Sequence, residues 1–332
     1  MKSPKVTILF LALTLIFLAS CGLTGNQLNA QTNESKPLGE SIAFLRNGDV
    51  WLMNPDGSDQ RPFVSGITNA RGRLSWSPDS KRLAFARQGK VTINYPEGGG
   101  GYHSIYDLFF AYPDSIGVQD NFWMSFTTSL GAQSPDWAEN NSLISYTLDL
   151  SGNVVDATSP DYTVGLFDPN AEKHYNLEMP KDSLNLMAIM PTISPDGKQV
   201  CFVLVDFKSA SMNRLGLAVS GTDKMILTST ELLQMAEKFP EANSPAWSPD
   251  GKWIAFLQGD GLYIIKPDLS EAQLVIHPEE GLWVSGIPCW APDSQKLAYG
   301  TSNGSIYVVN MNGTGNHKIS GPGADMNPAW TK

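Results

Sequence analysis

Histidine and cysteine are scarce in this chain, at four and three copies in 332 residues. So few thiols rule out a dense disulfide framework, the usual staple of small secreted folds. Basic residues are also in deficit, 23 against 33 acidic, for a formal net charge of −10. No basic stripe exists to neutralise phosphates, which argues against nucleic-acid binding and against direct adhesion to anionic lipid. The one long apolar run, residues 6–18, is too short to span a bilayer comfortably as a mature helix.

Repetition, by contrast, is plentiful. The stretch SPAWSPDGKWIAFLQGDGLYIIKPDLSEAQLV at residues 244–275 recurs as LSWSPDSKRLAFARQGKVTINY from Leu74, as PTISPDGKQVCFVLV from Pro191 and as PCWAPDSQKLAYGTSNGSIYVVNMNGTG from Pro288. A weaker copy, SPDWAENNSLISY, begins at Ser134. A repeat of this length marks an array of supersecondary units. Short runs rich in β-branched and aromatic residues alternate with turn residues in each unit, which reads as four strands. The turns carry their own chemistry. Proline at 78, 195, 249 and 292 fixes φ, and the following aspartate offers a local backbone hydrogen bond. Asn47-Gly48, Asn303-Gly304 and Asn312-Gly313 are hairpin signals.

A single four-stranded sheet leaves both faces uncovered, whereas a closed ring of such sheets does not. The first-strand tryptophan position falls at Trp76, Trp137, Ile193, Trp247, Trp290 and Trp330. The last copy, NPAWTK, lacks its following strands, and the segment from Ser41, SIAFLRNGDVWLMNPDGSDQRPFV, lacks a preceding tryptophan strand. The two are complementary halves of one unit. The expected fold is therefore an all-β, six-bladed propeller spanning residues 41–332, closed by pairing NPAWTK with SIAFLR. Its tryptophans are expected to pack between blades rather than to form a sugar-stacking row. Cys201 stands where other copies have Ala84, Ala255 and Ala298, and Cys289 where they have Ala246 and Ala329. Both read as inert core thiols.

The pattern P-x-W-S-P-D-G-K-x-I-A-F with Y-x-x-x-x-D-G-S behind it resembles the TolB-type, WD-repeat-like propeller family of bacterial envelopes, over roughly residues 41–332. Two departures matter. TolB carries an α/β domain ahead of its propeller, and prolyl-oligopeptidase-type enzymes carry a hydrolase domain; neither has a counterpart in this sequence. The resemblance implies a non-catalytic module for protein–protein interaction. The alternatives are a polysaccharide-active propeller enzyme, such as a metal-assisted lyase, and a ligand-binding sensor subunit.

Residues 1–20 read as a targeting segment, with Lys2 and Lys5 ahead of the apolar run. Leu18-Ala19-Ser20-Cys21 resembles a lipoprotein cleavage box, which implies lipidation at Cys21 and several acyl chains holding the protein to a membrane. Residues 21–40 are then a polar, disordered tether. The implied location is extracytoplasmic, anchored to a membrane through the lipid alone.

Three candidate chemistries have simpler readings. Gly300-Thr301-Ser302-Asn303-Gly304 matches a serine nucleophile elbow, but that motif needs a strand-to-helix turn and downstream partners. Its place in the repeat makes it a hairpin. The runs 54–59 and 168–172 resemble fragments of calcium loops, yet occupy the turn between third and fourth strands. His174, His277 and His317 fall on or beside outermost strands of different blades, and His103 lies alone in an insertion. No metal, cofactor or catalytic residue is expected.

Loop-length variation concentrates on one face, at residues 66–73, 150–161, 181–190, 206–213, 230–243 and 278–287. Residues 228–231 followed by LLQMAEKF read as a short capped helix there. Variable loops on a rigid scaffold are where binding usually resides. The candidate binding residues on this face are Arg71, Arg73, Met190, Trp283 and Asp325. The insertion at about 96–133 is read as the second unit's missing outer strand plus extra chain. It contributes Tyr102, His103, Tyr106 and Trp123 to a further candidate patch. The expected partner is an envelope protein or peptide, with a small-molecule ligand as the alternative.

Overall fold

The computed structural model describes residues 38–64, 69–94, 100–113, 119–120, 131–149, 162–171, 173–178, 186–206, 213–219, 225–226, 240–268, 270–277, 279, 281–321 and 323–332. Among them all regular structure is strand, arranged as the six blades of a propeller. The first blade comprises β1 (Ile42–Arg46), β2 (Asp49–Met53) and β3 (Arg61–Val64). The second comprises β4 (Ala70–Trp76), β5 (Leu83–Asn94), β6 (Gly100–Ala111) and β7 (Gln119–Asp120). In the third are β8 (Gly131–Trp137), β9 (Ile144–Asp149), β10 (Tyr162–Asp168) and β11 (Lys173–Glu178).

The fourth blade holds β12 (Leu186–Ile193), β13 (Gln199–Asp206) and β14 (Asn213–Val219). The short β15 (Met225–Ile226) follows and pairs in parallel with β11 of the preceding blade. The fifth is β16 (Asn243–Trp247), β17 (Ile254–Gln258), β18 (Gly261–Ile265) and β19 (Gln273–Ile276). The sixth is β20 (Val284–Trp290), β21 (Lys296–Thr301), β22 (Ile306–Asn310) and β23 (His317–Lys318). The last strand, β24 (Asp325–Trp330), is the innermost strand of the first blade and pairs antiparallel with β1, Ile42 opposite Trp330. This is the closure expected from the two broken repeats, and it covers the edge of β1 that would otherwise be unpaired.

Six core clusters lie one at each blade-to-blade interface. Trp76 packs with Ala329 and Phe63 of the first blade, and Trp137 with Ala84 and Phe110 of the second. Trp247 packs with Cys201 and Leu215, Trp290 with Ala246 and Val275, and Trp330 with Ala298 and Ile306. Ile193 fills the same position between the third and fourth blades, beside Ala138, Val164 and Leu177. All six residues are buried. The tryptophans are therefore wedges between sheets, as the repeat frame requires; truncating a buried one to alanine typically costs about 3–5 kcal/mol.

The second blade departs from its sequence reading. Val91–Asn94 continues β5 rather than forming a third strand, and the third strand is β6, within the supposed insertion. Each strand of this hairpin has 12 residues, against five in β17 and β18. Its base is built into the blade, with Phe109 buried toward the first blade and Phe110 toward the third. The proposed helix at 228–239 lies outside the described residues.

Candidate functional site

The six inner strands share an irregularity that their sequences do not announce. In each, the pairing register shifts just before the tryptophan position. At the shift stands one residue of positive φ: Gly72 (68°), Ser134 (54°), Met190 (50°), Ser244 (52°), Gly286 (77°) and Asn327 (50°). These are β-bulges, one per blade, arranged around the axis. Ser134, Met190, Ser244 and Asn327 each precede a proline, whose missing N–H suits a break in the ladder. Side chains from neighbouring blades bind the freed backbone groups. Asn327 accepts from Ile287 N at 2.9 Å and donates to Gly72 O at 2.7 Å, while Met190 N donates to Thr147 Oγ1 at 2.9 Å. At Gly286 a Cβ would lie 2.4 Å from Asn327 Oδ1, so that bulge needs glycine.

Beyond the bulges the inner strands enclose an axial cavity of about 180 Å³. Pro195, Pro249 and Pro292, from the Ser-Pro-Asp and Ala-Pro-Asp turns, line it along with Lys332. The cavity thus reaches the face of short uniform turns, opposite the variable loops. Arg73 also lines it and is only 5% exposed. Its guanidinium crosses from the second blade to donate from Nη2 to the Pro245 carbonyl of the fifth, the blade opposite. Burial pulls the Arg73 pKa down, opposed chiefly by the charge of Asp136.

Asp136 is committed elsewhere. Its Oδ2 accepts from Thr192 Oγ1 at 2.7 Å and Ile193 N at 2.9 Å, and its Oδ1 from Ser75 Oγ at 3.4 Å. Ser75 Oγ and Thr192 Oγ1 in turn accept the Trp137 and Trp247 backbone N–H at 2.9 and 3.0 Å. One carboxylate thus ties the second, third and fourth blades together. At the mouth, Lys332 Nζ donates to Trp137 O at 2.6 Å and pairs with Glu139 at 3.0 Å.

The candidate binding residues divide into groups. Arg71, Met190, Trp283 and Asp325 all lie at the loop-face ends of inner strands, but they present different surfaces. Arg71 is exposed, Trp283 is 55% exposed, Met190 is half-buried at its bulge, and Asp325 is fully buried. Asp325 is held by Arg46, Nε to Oδ1 at 2.6 Å and Nη2 to Oδ2 at 2.7 Å. Arg73 is a channel residue. Tyr102, His103 and Tyr106 belong to β6, where they pair with Thr92, Val91 and Gln88. Because Ala70 pairs with Arg87 at the start of β4, the outer half of the β5–β6 hairpin extends past the loop-face end of that strand. Trp123 and Cys21 lie outside the described residues. Met326, 40% exposed beside Asp325, was absent from the expected set. Its apolar side chain at a position the repeat leaves variable is the signal that could have found it.

His174, His277 and His317 stand on or beside β11, β19 and β23, the outermost strands. His174 stacks on Phe167, and burial lowers its pKa; His277 Nδ1 lies 3.0 Å from Asp260 Oδ1. The Gly300–Gly304 motif is the β21–β22 hairpin, with Thr301 N bonded to Ser305 O. Asp56 and Asp168 accept hydrogen bonds from their own turns, through Ser58 and through Asn170 and Ala171.

Solved structures match this ring. TolB from Acinetobacter baumannii superposes with a TM-score of 0.60 at 17% identity, over 89% of this chain and 67% of that one. A second TolB-type structure, from Agrobacterium tumefaciens, gives 0.56 at 15% identity, over 85% and 88%. A chain of the Nidogen/Laminin complex gives 0.60 at 7% identity, over 89% and 99%. The likeness is one of fold. No protein-family model matches the sequence, and no curated protein sequence matches it significantly.

Proposed function

We propose that this chain is a non-catalytic binding module of the bacterial envelope, anchored by lipid at Cys21 and presenting its loop face to a protein partner. The observation that carries the reading is the exposure of Trp283 and Met326 on one face. They are two of the three large hydrophobic side chains exposed among the described residues, and both stand at the loop-face ends of inner strands in adjacent blades. Exposed Arg71 lies on the next inner strand. Aromatic and arginine anchors grouped on a rigid frame suit a protein interface. The fold neighbours lend support, since one of them was solved within a protein–protein complex. Leu18-Ala19-Ser20-Cys21 supports the anchor and the extracytoplasmic location.

Crosslinking in native membranes followed by affinity capture tests the interface. Trp283→Ala combined with Met326→Ser should abolish capture of the partner recovered with the parent protein and leave the melting temperature within a few degrees. Unchanged capture would remove the loop face from consideration, and reproducible depolymerisation of a polysaccharide by the purified protein would replace the reading with an enzymatic one. Cys21→Ser should move the protein from the membrane to the soluble fraction.

A further inference from the structure

Charge is sorted between the two faces of the fifth and sixth blades. Glu241 stands just before β16, Asp260 in the β17–β18 turn and Glu279 ahead of β20, all at the loop-face ends of strands. All three are exposed. The lysines of these blades lie elsewhere. Lys252 and Lys266 sit at turns of the opposite face, Lys296 begins β21 there, and Lys318 is on the outermost strand, β23. Among the described residues Glu241 and Glu279 form no ion pair, while Asp260 Oδ1 meets His277 Nδ1 at 3.0 Å.

These carboxylates border the exposed apolar side chains of the loop face. The Asp260 carbonyl accepts the Val284 N–H at 3.0 Å, holding the β17–β18 turn against the residue after Trp283. Gln258 Nε2 donates to the Pro240 carbonyl at 2.9 Å, which ties Glu241 to the same turn. The Glu279 carbonyl accepts the Leu282 N–H at 2.9 Å, so Glu279 opens the turn that delivers Trp283. Trp283 is anchored in its turn, since its carbonyl accepts the Ser302 N–H at 3.0 Å. In the next blade Met326 passes so close to Gly300 that an added Cβ would lie 3.7 Å from its Cα. The backbone beneath the patch is thus fixed, while the Trp283 and Met326 side chains stand 55% and 40% exposed.

On the far side of Met326 the charge differs. Arg46 is taken up by Asp325, and the exposed Arg71 stands on β4 of the second blade. The apolar patch therefore has carboxylates along its Trp283 side alone.

We propose that the partner docks through a segment both apolar and basic, an inference that rests on the loop face being the interface. An aromatic or aliphatic side chain of that segment covers Trp283 and Met326. Its lysines or arginines lie over Glu241, Asp260 and Glu279, where complementary charge speeds encounter and fixes orientation. The same charges disfavour other occupants. A second copy meeting this patch with its own would bring carboxylates toward carboxylates. An anionic lipid surface would be repelled.

Three synthetic peptides of equal length test this, by fluorescence anisotropy with the full chain. One combines Leu and Trp with Lys, one Leu and Trp with Glu, and one Ser and Gly with Lys. The first alone should bind saturably. Its affinity should fall about tenfold in a Glu241→Lys, Glu279→Lys double variant, and should fall with added salt. Trp283→Ala should weaken it by a similar factor. Asp59→Lys with Glu271→Lys changes net charge equally, in turns between third and fourth strands, and should leave affinity unaltered.

Equal binding of the acidic peptide, an equal loss in the Asp59 and Glu271 variant, or no saturable binding would each overturn the proposal. Self-association of the parent chain in sedimentation, removed by Trp283→Ala, would put a second copy in the partner's place. The membrane crosslinking separates this inference from the interface itself. If Trp283→Ala with Met326→Ser abolishes capture and Glu241→Lys with Glu279→Lys leaves it intact, the interface stands and its basic chemistry falls.

Discussion

Arg46 on the first described strand and Asp325 on the last form a two-pronged ion pair, at 2.6 and 2.7 Å, across residues 279 apart in sequence. Asp325 is fully buried, while the Arg46 side chain keeps 22% of its exposure and lies over the Phe44 and Trp51 rings at 5.0 and 4.6 Å. The hydrogen bond to Asp325 raises the Arg46 pKa, against the opposing effect of burial. This pair locks the seam where the ring closes.

Asp325→Ala should therefore destabilise the fold by about 2–3 kcal/mol, somewhat under the ~3–5 typical of fully buried pairs because Arg46 is partly solvated. Pairing it with Arg46→Met should recover most of the loss, since no stranded charge remains. Denaturant unfolding measures both. Hydrogen exchange should show β1 and β24 opening first in the single variant.

The Ser-x-Asp turns predict an acid limit. Asp196 is held below the usual carboxylate range chiefly by the Ser194 hydroxyl at 2.7 Å. At Asp79 and Asp250 burial is the largest influence and acts upward, but it is outweighed by Ser77 and Ser248, by backbone N–H groups and by nearby cations. Carboxylates with depressed folded pKa values stabilise the fold fully above the unfolded value of about 3.9. That stability is lost as pH falls through the lower folded values. Melting temperature should hold down to about pH 4.5 and then fall, and a Ser77→Ala, Ser194→Ala, Ser248→Ala triple variant should show a shallower fall.

The sixth blade has Ala291 where the second, fourth and fifth have Ser77, Ser194 and Ser248. Those hydroxyls also accept the backbone N–H five residues on, as Ser248 does from Trp253 at 3.0 Å. Ala291→Ser should raise stability by about 0.5–1.5 kcal/mol by supplying both bonds. A lower melting temperature would show that the turn of this blade differs from its siblings.

Cys201 and Cys289 are both free thiols with pKa values pushed up to about 12, by burial above all. Since the thiolate is the reactive form, neither should be alkylated by iodoacetamide at pH 8 in the folded protein, and both should be in guanidinium. Mass spectrometry of the labelled chain reads this directly. Rapid native labelling of Cys289 would mean that the axial cavity opens widely in solution.

Gly304 offers a backbone test of the serine motif. Its φ is 72°, and a Cβ there would lie 1.7 Å from the Gly323 carbonyl oxygen. Gly304→Ala should cost more than the ~1 kcal/mol of an ordinary left-handed position, while Ser302→Ala should leave stability within about 0.5 kcal/mol. The reverse order would be inconsistent with a hairpin.

The ring was legible because its evidence is periodic: turn chemistry, alternating strands and a tryptophan in five blades of six all agree, and the broken copies at Ser41 and Trp330 define the closure. The histidines and the Gly300–Gly304 hairpin followed from the same frame. What periodicity hides is what breaks it. Ser134, Met190 and Ser244 are not glycine, so the proline that follows each is the one local mark of their left-handed bulges. Val91–Asn94 has the composition of a third strand, yet it extends the second because β6 pairs with it along its full length. The same blindness applied to Arg73 and Asp325. Asp325 stands at the loop-face end of β24 and Arg73 further along β4 toward the cavity; charge alone points both to solvent, and long-range partners bury both.

The seam joining β24 to β1 also governs how the molecule can assemble. Contacts of such sequence separation carry a large loop-closure entropy and come late, so folding is expected to be slow for the chain's size. Until β24 is in place, β1 presents an unpaired edge that another chain's strand could occupy. A polypeptide made or exported from its N-terminus keeps that edge exposed almost to the end of its delivery. Its greatest exposure to aggregation therefore lies in the interval before Asp325 meets Arg46.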